Sequence, residues 1–455
     1  MEMERKRTRV LLLPYPSQGH INPMIQFAKR LITHNIKPTL VVTRFVFASA
    51  WPDPSCPVDI ATISDGHDDS EFAGDLDAFR VHGSRTLLEL IESGRRADEP
   101  FTCVVYDPFM PWALDVAKQA GLIGAAFFTQ TCTVCAVYYQ MYHGKIRAPL
   151  VVDQTVEIEG VSRPFKVEEL PSFLSVAGSY PAYFAMVLNQ FSNIEGADWV
   201  FFNSVYELEK EAVDWMATLL PVKTIGPTIP SMYLDNHHDK DDSSYGFSLF
   251  KPDLDSCVEW LNTKAAQSVV YVSFGSLAEL GSEQIEELAH GLLGCGKPFI
   301  WVVRASEESN LPINFRAMTK EKGLSLIVRW CSQLEVLAHK SVGCFVSHCG
   351  WNSLLEAMSM GMPVVGVPLW TDQPTNAALV SKVWGTGVRV GVDGGGVARR
   401  EELERCIRRV MEEEEFGRRI GEWRDVVRAA ATTVGGGGSS CRNIEEFVSK
   451  ICVDG

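Results

Sequence analysis

The chain has 455 residues, 46% hydrophobic and 22% charged, and 42 Lys and Arg against 57 Asp and Glu leave a formal net charge of −15 at pH 7. That length holds about three ordinary domains or two larger ones, each with its own core, and the composition is that of a folded globular protein. The acidic balance argues against a nucleic-acid partner, which would need a basic face, and against docking on an anionic membrane.

The N-terminus is basic, with Arg5, Lys6, Arg7 and Arg9, but only Val10 to Leu13 follow before Pro14. A signal peptide needs about 7–15 apolar residues, so this run reads instead as a buried first strand. No apolar run approaches the roughly 18 residues of a spanning helix, and the chain is expected to stay in the cytoplasm. Its 12 cysteines are scattered. Cys103, Cys344 and Cys349 sit in or beside strand-like runs, which in that compartment implies buried thiols rather than disulfides. Cys132 and Cys135 form a C-x-x-C within the apolar, helix-like stretch Thr131 to Tyr139, where helix packing is a better reading than redox chemistry. His339, Cys344, His348 and Cys349 fit no familiar zinc spacing, and no metal is expected.

In chain order, Arg9 to Pro14 reads as a strand, Ile21 to Ile32 as a helix and Thr39 to Thr43 as a strand. Phe101 to Tyr106 is a strand, Pro111 to Ala120 a helix and Ala125 to Thr129 a strand. This alternation implies a parallel sheet covered by helices. It breaks over Ser231 to Phe250, where Asp235 to Ser244 is polar and charged, the composition of an interdomain linker. It resumes with strands at Val269 to Phe274, Phe299 to Arg304, Gly343 to Ser347, Val364 to Pro368 and Gly387 to Val390, and a helix at Glu283 to Leu293. Arg399 to Val434 is a charged helical region in which Glu401–Arg405, Glu404–Arg408, Glu414–Arg418 and Glu415–Arg419 are spaced as i,i+4 ion pairs on a solvated face. Gly435 to Ser440 is a flexible break, and Asn443 to Ile451 a last helix. The expected architecture is α/β: two Rossmann-like, doubly wound domains facing a cleft. The first spans residues 1–234, the linker 235–250, the second domain 251–434, and a terminal segment 435–455.

Two phosphate-loop readings fail. Gly291-x4-Gly296-Lys297 is followed by Pro298 instead of Ser or Thr and comes after a helix rather than a strand. No G-x-G-x-x-G follows the first strand, which removes the fingerprint of a nicotinamide or flavin oxidoreductase. The strongest signal runs from Trp330 to Gln373. The strand Gly343 to Ser347 enters His348-Cys349-Gly350-Trp351-Asn352-Ser353 and then a helix, Leu354 to Met360. A strand ending in a Gly-containing turn at a helix N-terminus offers free N–H groups and a dipole to phosphate. Asn352 and Ser353 suit the cap, His348 adds a donor, and Glu356, one turn on, is placed for a sugar diol. Asp372-Gln373 follows the strand Val364 to Pro368, where open α/β sheets bind ligands, and an acid beside an amide suits sugar hydroxyls.

This segment resembles the signature box of plant family 1 glycosyltransferases, which use UDP-sugars. It holds Trp330, Gln333, His339, the run His348 to Ser353, Glu356, Gly361, Pro363, Pro368, Asp372 and Gln373 at the family's spacing. Ser332 stands where the family usually has Pro. The resemblance covers the whole chain and is nearest to the subgroup acting on hormones, small acids, terpenoids and steroids. It implies a GT-B type fold whose last helix crosses back to the first domain. It also implies that Trp330 stacks on uracil, Gln333 binds the ribose region and Glu356 holds the ribose hydroxyls. His348, Asn352 and Ser353 would bind the diphosphate with Trp351 beside it, and Ser276 would add a phosphate contact. Asp372 and Gln373 would hold the sugar, Gln373 pointing to UDP-glucose.

Ser17-Gln18-Gly19-His20-Ile21-Asn22-Pro23 lies between the first strand and first helix. By itself a His in such a loop is more often structural than catalytic, and Asp107-Pro108 is merely a strand-ending turn. The resemblance makes His20 the general base, Asp107 its acidic partner and Thr129 a contact to the donor sugar. The implied reaction is an inverting transfer of glucose to a hydroxyl or carboxyl of a hydrophobic small molecule, with UDP-glucose as co-substrate and no cofactor. Phe109, Met110, Tyr138, Tyr142, Phe184 and Phe191 are candidates for the apolar acceptor pocket, and each could equally be core. The expected partners are these two small molecules only, without nucleic acid or membrane, and the chain is expected to be monomeric. A non-catalytic nucleotide-sugar sensor is the alternative, and the presence of both His20 and Asp107 speaks against it.

Overall fold

The computed structural model describes residues 7–70, 74–151, 154–176, 178–234, 242–249, 254–277, 279–433 and 436–453. The first half folds around a parallel sheet of seven strands: β1 (Arg9–Leu13), β2 (Lys37–Thr43), β3 (Asp59–Ile63), β4 (Cys103–Tyr106), β5 (Ile123–Phe128), β6 (Trp199–Phe202) and β7 (Val222–Thr224). Their spatial order is β7-β6-β5-β4-β1-β2-β3. The second half holds a six-stranded parallel sheet of β8 (Val269–Ser273), β9 (Phe299–Val302), β10 (Ser325–Val328), β11 (Val342–Ser347), β12 (Val364–Gly366) and β13 (Gly387–Arg389). Its order is β10-β9-β8-β11-β12-β13. Both are doubly wound, with the order reversing beside the first strand of each half, and this confirms the two Rossmann-like units of a GT-B fold.

The central strands are apolar on both faces because helices cover both faces. Val10, Leu12, Val105 and Phe127 pack on one side with α1 (Gln18–Thr33), while Leu11, Leu13, Val104 and Tyr106 face the other side. That second cluster continues into the other half through Tyr271, Phe345, Trp351 and Trp384, so the halves share buried apolar surface. A separate core lies on the far face of the second sheet.

The sequence missed α2 (Leu76–Arg96) and the strands β3, β6, β7 and β10. β7 has three residues and β6 and β10 four each, too few for a periodic pattern to develop. Elements that were expected mostly begin or end within a few residues of their predicted limits. The Gly291–Gly296 segment is the C-terminal half of the helix Ser282–Cys295, with Gly296 as a left-handed cap at φ 63°, the opposite end from a phosphate loop. The region Arg399 to Val434 is two helices, Arg400–Glu412 and Glu414–Ala431, parted at extended Glu413. Of the four expected ion pairs, Glu404–Arg408 and Glu415–Arg419 form. Arg405 turns instead to Glu402, and Arg418 to Glu415 and Glu422.

Residues 235–241 and 250 of the expected linker and residue 435 of the expected glycine break lie outside the described residues. From Asp242 the chain is tied down. Asp242 pairs with Lys29 at 2.6 Å, and Phe247–Ser248 forms an antiparallel ribbon with Trp51–Pro52. The last helix, Ser439–Val453, lies on the first sheet, where Phe447 meets Phe201 with ring centres 5.0 Å apart and Asn443 donates to the Thr224 carbonyl. All 12 cysteines are free thiols, Cys132 and Cys135 fully buried. Among the described residues no helix is long and apolar enough to cross a membrane.

Candidate functional site

Strand register determines which loops emerge together. Leu13 lies opposite Tyr106, so the chain leaves β1 and β4 side by side at the first sheet's switch point. Ser273 lies opposite Ser347, so β8 and β11 release their loops together in the second. The two switch points face each other across two adjoining cavities of about 330 and 250 Å3. Both cavities share Gly19, Gly275, Ser276, Asn352 and Ser353.

At the first switch point His20, in the first turn of α1, meets Asp107 at the end of β4. The imidazole Nδ1 lies 2.5 Å from Asp107 Oδ2 and 3.2 Å from Thr129 Oγ1. The other carboxylate oxygen of Asp107 accepts the Phe109 backbone N–H at 3.0 Å, which fixes the plane of this buried acid. With Nδ1 engaged, Nε2 is the ring nitrogen left for chemistry. Tyr15 and Phe109 flank the ring, with centres 5.4 and 5.3 Å from it. This is the geometry of an oriented base: the acid sets the tautomer and would stabilise the imidazolium.

At the second switch point Cys349 takes φ 64°, a sharp turn that lets Gly350 cap the helix Trp351–Met360. Asn352 and Ser353 of its first turn, whose N–H groups have no acceptor within the helix, line both cavities. His348 sits against the glycines at 275 and 350, where any added Cβ would collide with its ring. Burial pushes its imidazole down to about 4, so at neutral pH it is an uncharged donor. The Gly350→Ala variant keeps an ordinary backbone conformation but must displace this ring. It is expected to weaken UDP binding about 10-fold, roughly 1.4 kcal/mol, measured by titration calorimetry; unchanged affinity would remove His348 from the expected diphosphate contacts.

The larger cavity gathers Trp330, Gln333, Ser353 and Glu356. Gln333 donates to Glu356 Oε2 at 2.5 Å and to Ser353 Oγ at 3.0 Å. Ser332 has φ −70°, a value Pro would also adopt, so its departure from the family pattern leaves the backbone path intact. Sequence reasoning missed Tyr245, whose hydroxyl donates to Glu356 Oε1 at 2.6 Å. The signal available was an aromatic pair, Tyr245 and Phe247, closing an otherwise polar run.

The smaller cavity gathers His20, Thr129, His348, Trp351, Asn352, Asp372 and Gln373, with Phe109 and Tyr138. Asp372 is held by Thr371 Oγ1 at 2.6 Å and Asn376 Nδ2 at 2.7 Å, and burial raises its pKa above the usual carboxylate range. Gln373 Oε1 accepts the backbone N–H groups of Leu369 and Trp370, which leaves its NH2 as the end available to a ligand. Thr371 is strained at φ 53°, a rare region for a β-branched residue. Reciprocal 2.8 Å bonds with Ser172 of the first half hold it there. Trp351 and Asn352 also tie the halves together. The indole donates to the Asn203 carbonyl at 2.6 Å and the Asn352 amide to the Gly19 carbonyl at 2.5 Å.

Of the six acceptor candidates, Phe109 and Tyr138 line the cavity. The Tyr138 hydroxyl is buried, with no hydrogen-bond partner among the described residues. Met110 and Phe191 are fully buried in the core, Phe191 stacking on Phe128. Phe184 packs on Phe173 rather than on the cavity, and Tyr142 is exposed beside His143. These four do not line it: apolar character alone does not separate a cavity wall from the layer behind it. Tyr15, Phe173, Tyr183 and Trp370 complete the aromatic lining. The four candidate zinc ligands do not converge, since His339 binds Asn262 and Cys344 points into the far core.

The pattern of the UDP-glucoronosyl and UDP-glucosyl transferase family matches residues 247–422. UDP-glycosyltransferase 74F2 of Arabidopsis thaliana is 47% identical, covering 99% of each chain. Indole-3-acetate beta-glucosyltransferase of Zea mays is 45% identical over 96% of this chain and 97% of its own. The crystal structure of Os79 from O. sativa in complex with UDP superposes with a TM-score of 0.91 at 41% identity, covering 97% of this chain and 100% of its own. With identity of this order along its whole length, the chain belongs to the UDP-glucoronosyl and UDP-glucosyl transferase family.

Proposed function

We propose that this enzyme transfers glucose from UDP-glucose to a hydroxyl or carboxyl of a hydrophobic small molecule and inverts the anomeric configuration. The observation that carries the reading is the smaller cavity, where the His20–Asp107 pair faces the N-terminus of the helix Trp351–Met360 and the Asp372–Gln373 pair. His20 Nε2 takes the acceptor proton. The acceptor oxygen then bonds to the anomeric carbon as the bond from that carbon to the diphosphate breaks on the opposite face. An α-linked donor thus yields a β-glucoside and UDP. Glu356, Gln333 and Trp330 hold the nucleoside, Asp372 and Gln373 the sugar, with Thr129 touching it from the first half. His348, Asn352, Ser353 and Ser276 receive the diphosphate, Trp351 bracing the turn. The growing negative charge meets a helix dipole and neutral donors, and these need no metal.

Phe109, Tyr138 and the aromatic wall suit an apolar aglycone. The acceptor half comprises residues 1–234, the donor half 251–434 joined by 235–250, with 435–455 returning to the first half. The −15 net charge and the free thiols fit a monomeric cytoplasmic enzyme without nucleic-acid or membrane partners. The test is incubation of phenols, acids, triterpenoids and steroids with UDP-glucose, read by mass. Gain of one hexose on a hydrophobic acceptor is expected, undiminished by a chelator. No transfer to any class would sink the proposal, and loss restored by magnesium would sink its metal-free step.

A further inference from the structure

We infer that Tyr245 is a positioning residue for the donor: its hydroxyl, carried into the cleft on the strap from Asp242 to Leu249, holds the Glu356 carboxylate ready to accept the ribose hydroxyls. This rests on the reading of Glu356 as the ribose-binding acid. The strap is fixed to the first half. Gln18 donates to the Phe247 carbonyl at 3.1 Å and accepts from Leu249 N at 2.6 Å. Gln26 donates to the Ser244 carbonyl at 3.2 Å, and Ser244 Oγ donates to Asp53 at 2.9 Å. From that anchorage the Tyr245 hydroxyl crosses to a side chain of the second half.

Glu356 is buried, and the lining of its cavity includes no Lys, Arg or His among the described residues. The ionisable groups that face it are Tyr233, Tyr245 and Tyr271, with the acids Asp53 and Glu335 further out. Its charge therefore depends on two neutral donors, one per oxygen: Tyr245 on Oε1 and Gln333 on Oε2. An ionised carboxylate has about four lone-pair directions, so one on each oxygen remains for a vicinal diol. Burial pushes the carboxyl upward and the two donors pull it back down. Without the tyrosine hydroxyl it rises further, and the protonated acid loses acceptor capacity. Affinity in such a variant should then be low below the new titration point and recover as pH rises through it.

The test is calorimetric titration of UDP into intact wild-type, Tyr245→Phe and Glu356→Gln proteins from pH 6 to 9. Tyr245→Phe keeps the ring in its apolar seat and is expected to bind UDP about 10-fold more weakly at pH 6, as for loss of one charge-assisted hydrogen bond. The gap should narrow as pH rises, while Glu356→Gln stays weak throughout. If Tyr245→Phe matches wild type, binds more tightly, or is weaker by a factor independent of pH, the inference is overturned. If Glu356→Gln binds UDP like wild type, the ribose reading itself fails.

Discussion

Replacing His20 with alanine is expected to lower kcat on a hydroxyl acceptor by about 100- to 10,000-fold, the usual worth of a positioned general base. UDP affinity should be unchanged. The separation follows from the geometry. Trp330, Gln333 and Glu356 line the larger cavity, whereas His20 lines the smaller one and, among the described residues, bonds only Asp107 and Thr129 by its side chain. The acceptor supplies a control. A carboxylic acid is already ionised at neutral pH and has no proton to surrender, so its transfer should suffer far less from the same substitution. Steady-state rates on a phenol and on an acid, with UDP binding measured in parallel, would decide the matter. Full turnover of the phenol by the variant would refute the assignment, and equal losses on both acceptors would show that His20 acts by holding the acceptor instead.

Much of this site was legible in the sequence because chemistry had concentrated it. The run His348 to Ser353 needs its residues in fixed order, and the structure explains the order: a left-handed Cys349, a capping Gly350 without a Cβ to strike His348, and then the first turn of a helix. Long-range pairing was beyond composition and periodicity. Nothing local in Asp107-Pro108 announces a partner 87 positions away, and only the family likeness joined it to His20. Tyr245 was hidden for a related reason. A polar run reads as a linker whether or not it lies in a cleft, and only the anchoring bonds of Gln18, Gln26 and Lys29 show that it does. The acceptor wall was least readable. Phe109 and Phe191 are the same residue type in similar surroundings, yet one lines the cavity and the other lies a layer behind it.

The Asp107→Asn variant is expected to be as damaging as loss of His20, by about 1,000- to 10,000-fold in kcat, although it preserves shape. Asp107 accepts at both oxygens, from the Phe109 N–H on Oδ1 and from His20 Nδ1 on Oδ2. An asparagine satisfies the Phe109 N–H only with its carbonyl oxygen, which turns its NH2 toward Nδ1. His20 must then accept at Nδ1 and carry its proton on Nε2, the nitrogen that has to receive the acceptor's proton. The opposite amide rotamer would set NH2 against the Phe109 N–H inside a buried pocket, leaving a donor unsatisfied. Asp107→Ala removes the orienting bond without imposing the wrong tautomer, so it should retain more activity than the closer isostere. That ranking, alanine above asparagine, separates tautomer control from simple support of the fold, which would favour asparagine. Thermal unfolding of the two variants beside their kcat values makes the comparison. An asparagine variant that keeps wild-type turnover, or exceeds the alanine variant, would show that Asp107 does not set the proton on His20.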